Sequence, residues 1–155
     1  MQVYEQLMGI FPELEYKFDP LMPPGQKGMI YKTTVYLNPN QRYEELNSTV
    51  AEEIGHHLTG TGNIIKQDTN EKRKQERKAR DAGATLLVSP YDIIDCFEAG
   101  CISIWECAEY LEVTETTFKD AVNYYARKYE GILTEDNHII FFHPNGTVSV
   151  FKSLQ

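Results

Sequence analysis

The stretch Ala51-Glu52-Glu53-Ile54-Gly55-His56-His57 constrains this chain more than any other. Glu52 and His56 stand four residues apart. On an α-helix that spacing separates two side chains by about 40° around the axis and one turn along it, so they converge. Glu53 lies about 100° further round. The layout is that of the H-E-x-x-H metal-binding helix, with glutamate in place of the first histidine. A chain that uses it must form a helix here and bring another ligand from a second element. Taken alone, a Glu-Glu pair is usually a solvated helix face, and Gly-His-His suits a helix C-terminus, where the dipole favours cations.

The surrounding sequence supplies both elements. Leu46, Val50, Ile54 and His57 or Leu58 recur at helical steps after the punctuation Asn38-Pro39-Asn40, which predicts a helix over residues 43–58. Gly60-Thr61-Gly62-Asn63 is expected to end it. A second long helix is predicted over residues 70–87. Its first half is charged, and its second half carries Ala79, Ala82, Gly83 and Ala84, small residues that permit close helix–helix approach. Ser89-Pro90 stops it.

Upstream, residues 1–18 read as a short amphipathic helix, ended by Phe11-Pro12, and an extended piece. Residues 28–31 and 34–37 are β-prone and flank Lys32-Thr33, a small hairpin. Downstream, shorter helices are expected over residues 91–98, 103–111 and 115–129, with Thr114 as an N-cap and Thr117 three residues on. Residues 138–142 and 147–151 around Pro144-Asn145-Gly146 read as a β-hairpin with an Asn-Gly turn.

Composition removes several classes. With 155 residues, 41% hydrophobic and 25% charged, the chain is long enough for a real core and is not a disordered polymer. No apolar run approaches the roughly 20 residues that span a bilayer. Met1-Gln2-Val3-Tyr4-Glu5 lacks the basic and apolar regions of a signal peptide, so a cytoplasmic location is expected. Cys96, Cys101 and Cys107 are odd in number and lack C-x-x-C spacing, which argues against a disulfide framework or a cysteine zinc knuckle; buried or semi-buried thiols in helices are expected.

Net charge is −8, which disfavours nucleic acid except at a local basic patch. Residues 91–131 have a helix-turn-helix rhythm, but nine acidic and three basic side chains leave them at −6. A recognition helix needs lysine and arginine for phosphates, so packing or partner docking is the better reading. Lys72-Arg73-Lys74-Gln75-Glu76-Arg77-Lys78-Ala79-Arg80 is the one basic run. Most of it reads as a solvated face; its functional option is a rim that attracts an acidic substrate segment.

Two ligands, a third from elsewhere, a water and a carboxylate base make a hydrolytic metal site. Glu53 can reach the water without being a ligand. Glu76, on the face that carries Ala79 and Gly83, is the candidate third ligand. His57, four residues after Glu53, is the alternative nitrogen, and the motif register favours His56. His138 and His143 read as surface residues of the hairpin.

These residues resemble the ImmA/IrrE metallo-endopeptidases. That family has a strand, a helix with A-H-E-x-G-H, and a following helix with E-x-x-A and A-x-L-L-x-x-P. Here Val35-Tyr36-Leu37-Asn38 matches the strand and Ala51-Glu52-Glu53-Ile54-Gly55-His56 the first helix. Glu76-Arg77-Lys78-Ala79 and Ala84-Thr85-Leu86-Leu87-Val88-Ser89-Pro90 match the second. The likeness covers roughly residues 28–130. It implies Glu53 as general base and His56 and Glu76 as zinc ligands, with Glu52 in the position of the remaining ligand. Glutamate is a competent zinc ligand. Two carboxylates cancel the ion's charge, however, so the site should acidify water less and accept a harder metal such as manganese.

The reading is an α+β protein: a small N-terminal sheet with a zincin-like active-site helix, a helical bundle and a C-terminal β-hairpin. Residues 1–131 are expected to form the metallopeptidase-like domain, with a helical part over about 91–131, and residues 132–155 a hairpin packed on it. The resemblance implies a zinc-dependent endopeptidase of phage or mobile-element origin that cleaves a cognate transcriptional repressor. The alternative is a degenerate antirepressor that binds a repressor or other partner protein without cutting it. No direct nucleic-acid or membrane partner is expected.

Overall fold

Period-two alternation sets the first sheet. In β3 (Thr34–Leu37), Val35 and Leu37 are fully buried while Thr34 and Tyr36 are half-buried. The strand β2 (Gly28–Tyr31) pairs with it antiparallel across Lys32, whose φ of 55° turns the hairpin. The extended piece near the start becomes β1 (Glu15–Phe18), which pairs with β3 in parallel, so the order is β1-β3-β2. The computed structural model describes residues 1–60, 69–143 and 147–152.

Two units divide the chain, Met1–Leu86 and Leu87–Gln155. The first holds this sheet and three helices: α1 (Val3–Ile10), α2 (Tyr43–Thr59) and α3 (Thr69–Leu87). α1 stops where Phe11-Pro12 predicts. It is tied to α2 by the fully buried Asn47, whose Oδ1 accepts from the Tyr4 N–H at 3.0 Å, and by the Tyr43 hydroxyl, which accepts from the Val3 N–H. The connector before α2 is held by Asn38, whose Nδ2 donates to the Gln26 carbonyl at 2.8 Å. α2 starts beside an ion pair of Glu45 with Lys27 at 2.7 Å. It ends at Gly60, which adopts the left-handed conformation at φ 71°. The rest of the expected stop signal, residues 61–63, lies outside the described residues.

The second unit holds α4 (Pro90–Glu98), α5 (Ile104–Leu111) and α6 (Glu115–Lys128), each started by a side-chain cap. Ser89 caps α4, with Pro90 at its first position. Ser103 caps α5, and Thr114 caps α6 by accepting from the Thr117 N–H at 3.2 Å. Phe118, Val122, Ile93 and Ile140 are buried. Tyr125 stacks near Phe142, with centroids 5.1 Å apart, and its hydroxyl donates to the Val88 carbonyl. All three cysteines are buried; Cys96 and Cys107 lie in helices, and Cys101 lies in the loop between α4 and α5.

The predicted C-terminal hairpin forms as β5 (His138–Phe142) and β6 (Val148–Lys152); its Asn145-Gly146 turn lies outside the described residues. A third strand, β4 (Gly131–Leu133), pairs antiparallel with β5 and makes a sheet of order β4-β5-β6. His138 is not a surface residue. It is 5% exposed, because alternation puts it on the buried face of β5 with Ile140 and Phe142. Its Nε2 lies 3.0 Å from Glu98 and its Nδ1 3.1 Å from Asp136, the latter an ion-pair approach without hydrogen-bond alignment. His143 is half-buried, its Nε2 3.0 Å from the Ser149 hydroxyl. The chain is α+β, and among the described residues no helix is long and apolar enough to cross a membrane.

Candidate metal centre

The site begins with two glycines. A Cβ built on Gly55 of α2 would stand 2.1 Å from the Ala79 carbonyl oxygen of α3. One built on Gly83 of α3 would stand 2.6 Å from the Ala51 carbonyl oxygen of α2. Neither distance is tolerable between non-bonded atoms, so only glycine lets these two helix backbones meet. Ala79 is fully buried and Ala51 nearly so. The helices thus touch backbone to backbone, through residues placed one turn apart on each.

That crossing sets three side chains together. Glu52 and His56 project from one face of α2, and Glu76 reaches them from α3, one turn before Ala79. Each offers a ligand atom, and the three atoms lie within 4.8 Å of one another. The His56 Nε2 is 3.6 Å from the Glu76 carboxylate. His56 is buried, Glu52 half-buried and Glu76 exposed, so the cluster opens to solvent on the α3 side. His57 turns elsewhere, with its Nε2 3.3 Å from Glu13.

Glu53 is placed differently. It points inward, 7% exposed, under the first sheet: a Cβ on Gly28 of β2 would stand 3.6 Å from its Cγ. One of its oxygens, Oε2, is buried without a hydrogen-bond partner. Burial pushes its carboxyl up to about 8, and the neighbouring charges of Glu52 and then Glu76 add to the rise. Such an acid is poised to exchange a proton near neutral pH.

The donor set fits a divalent cation. One imidazole nitrogen and two carboxylate oxygens are ligands that zinc and manganese accept. Two carboxylates, Glu52 and Glu76, share the cluster with His56, and both act on the buried carboxyl of Glu53, an arrangement that a cation would relieve. The orphaned Glu53 oxygen beside it is the second mark of a missing partner.

Glu52, Glu53, His56 and Glu76 are therefore brought to one place. His138 and His143 are outside the cluster. The pairing of Gly55 with Gly83 is not evident from the sequence, although a glycine inside a helix costs about 1 kcal/mol relative to alanine and so signals a packing need.

The family model described as the IrrE N-terminal-like domain, Peptidase_M78, matches residues 12–123. The matched span contains the first sheet, α2, α3, the three residues of the cluster and Glu53. No curated protein matches the chain.

Proposed function

The chain belongs to the Peptidase_M78 family of IrrE N-terminal-like domains, and from that premise we propose that it is a metal-dependent endopeptidase that cleaves a cognate transcriptional repressor. The observation that carries this reading is the pairing of a metal-ligand cluster with a buried, unpartnered carboxyl one residue away. Glu52, His56 and Glu76 would hold the ion, zinc by family or manganese by its two carboxylates. When bound, the ion supplies Lewis acidity, polarising the scissile carbonyl and lowering the pKa of water.

The chain's own residues supply the rest. Glu53 takes the proton of the attacking water and later delivers it to the leaving amine. A cation held by Glu52 and Glu76 would offset the neighbouring charges that raise its carboxyl, favouring the ionised form that accepts the proton. The first sheet supports an extended substrate. Its outer strand β2 lies over α2 and leaves Met29 and Tyr31 exposed. A peptide can pair along such an edge by backbone hydrogen bonds.

One observation favours a second reading. Glu52 stands where the family motif has histidine, and its negative charge leaves a bound ion nearly neutral, which weakens its Lewis acidity. A protein so altered could sequester a repressor without cutting it. Incubating a candidate repressor with the metal-loaded chain separates the two. The endopeptidase reading expects two complementary fragments by mass spectrometry, abolished by Glu53→Gln. Intact repressor that co-elutes with the chain would replace it with sequestration.

A further inference from the structure

The basic run lies on α3, directly beside the cluster. Residues 72–80 carry six basic side chains and one acid, a balance of +5, so the rest of a chain whose net charge is −8 stands at −13. The acid is Glu76, one of the three metal-ligand candidates. Lys72, Arg73, Arg77 and Arg80 surround it at helical spacing and are all exposed. With Thr69 and Glu76 they line an open cavity of about 570 Å³. Arg77 lies 3.6 Å from Asp81, and Lys74 3.8 Å from Glu71. Among the described residues, Lys72, Arg73 and Arg80 form no ion pair.

A solvated face needs no such concentration. In an acidic protein the ordinary device for an exposed helix is alternation of signs, which gives stabilising pairs three and four residues apart. Here six cations share one acid within the run, so beside the opposite pairs with Glu76 like charges stand four apart, Arg73 with Arg77 and Lys74 with Lys78. The repulsion is relieved by an anionic partner. The face runs about 12 Å from residue 72 to residue 80, the reach of three or four extended residues. Glu76 lies at its middle, so a peptide along it passes the metal ligands.

We propose that this face of α3 is a substrate-docking track that selects an acidic peptide segment, with Lys72, Arg73, Arg77 and Arg80 receiving aspartate or glutamate side chains within about two residues of the scissile bond. The inference rests on the peptidase reading of the adjacent cluster. It names the substrate class: a protein with an exposed acidic stretch. The −13 balance elsewhere sharpens the choice, because the net charge of the rest of the chain disfavours an acidic segment while this run favours it.

Binding tests it without turnover. The full chain carrying Glu53→Gln is titrated into a fluorescein-labelled peptide with a central run of glutamates, and into its glutamine counterpart. Fluorescence anisotropy should show the acidic peptide binding about tenfold tighter at low salt, with the preference fading as salt rises. Adding Arg73→Glu and Arg80→Glu should erase the preference, while circular dichroism and metal content stay as before. Should that variant misfold, Arg73→Gln and Arg80→Gln singly should each reduce it.

Equal binding of the two peptides, or a preference that survives charge reversal, overturns the proposal. So does a single-stranded oligonucleotide that binds this face more tightly than the acidic peptide does. The two readings fail separately. Acidic peptides that bind selectively but are never cut by the native chain sink the peptidase reading alone. Peptides cut at equal rates whatever their charge sink the docking track alone.

Discussion

Glu53 and His138 are both buried, and the two units treat them in opposite ways. His138 has a carboxylate near each ring nitrogen, Glu98 at 3.0 Å and Asp136 at 3.1 Å, and Asp136 is itself held by the Thr134 hydroxyl. Each keeps one atom without a hydrogen-bond partner, His138 Nδ1 and Glu53 Oε2, but the groups that act on Glu53, the carboxyls of Glu52 and Glu76, are of its own kind. The first arrangement stabilises the fold; the second strains it. A buried polar group flanked by opposite partners is structure, whereas one flanked by its own kind points to something else that makes use of it.

The same contrast holds for the helices. In the second unit α4, α5 and α6 each carry a serine or threonine cap and pack through ordinary side chains such as Phe118. In the first unit α2 and α3 meet through Gly55 and Gly83, at a cost in helix propensity, and gain a backbone contact that places Glu76 beside His56. One unit is built for stability and the other for a position.

Substitutions can break that contrast. Phe118→Ala should be the most costly, about 4 kcal/mol by denaturant titration, since it empties a fully buried ring. Metal per folded molecule should stay the same. Gly83→Ala should cost about 3 kcal/mol, because its methyl enters the backbone of α2. Unlike the first, it should also weaken metal binding, seen by competition with a chromophoric chelator. Equal metal affinity in both variants would dissolve the distinction between the units.

A pH profile sharpens it further. The Glu53 carboxyl sits at about 8 in the fold, against an ordinary value of 4.5. Between these values the unfolded chain has lost the proton while the folded one keeps it. Metal-free protein should therefore be fully stable with respect to this group below about 4.5 and lose stability as pH rises through about 8. Glu53→Gln removes the slope and should be the more stable form above pH ~8, by on the order of 2 kcal/mol in urea titrations. Parallel profiles would show that Glu53 is not held protonated. The smallest effect belongs to the well-satisfied region: Ser89→Ala should cost about 1 kcal/mol in thermal unfolding, with metal content unchanged.

Much of this was legible in the residues. Local rules carried the helices: the cap at Thr114, the break at Ser89-Pro90, the apolar stripe of α2, and the proline after Phe11 all mark real boundaries, while the capping roles of Ser89 and Ser103 emerge only in the structure. β4 was not legible, because Gly131-Ile132-Leu133 is too short for alternation and is a strand only through its pairing with β5. The parallel match of β1 to β3 is equally a tertiary fact. His138 could have been read correctly, since it shares its strand face with Ile140 and Phe142. The likeness in sequence pointed to Glu52, Glu53, His56 and Glu76 together. Their distances, and the burial that lifts Glu53, depend on how closely two glycines let the helices approach.

The central claim is that Glu52, His56 and Glu76 bind one divalent cation. Its most direct test is the metal content of the purified chain, reconstituted with zinc or manganese, dialysed and measured by plasma mass spectrometry beside His56→Ala and Glu76→Ala. The account predicts about one equivalent in the native chain and none above background in either variant. No bound metal in the native chain, or metal retained by both variants, would contradict it.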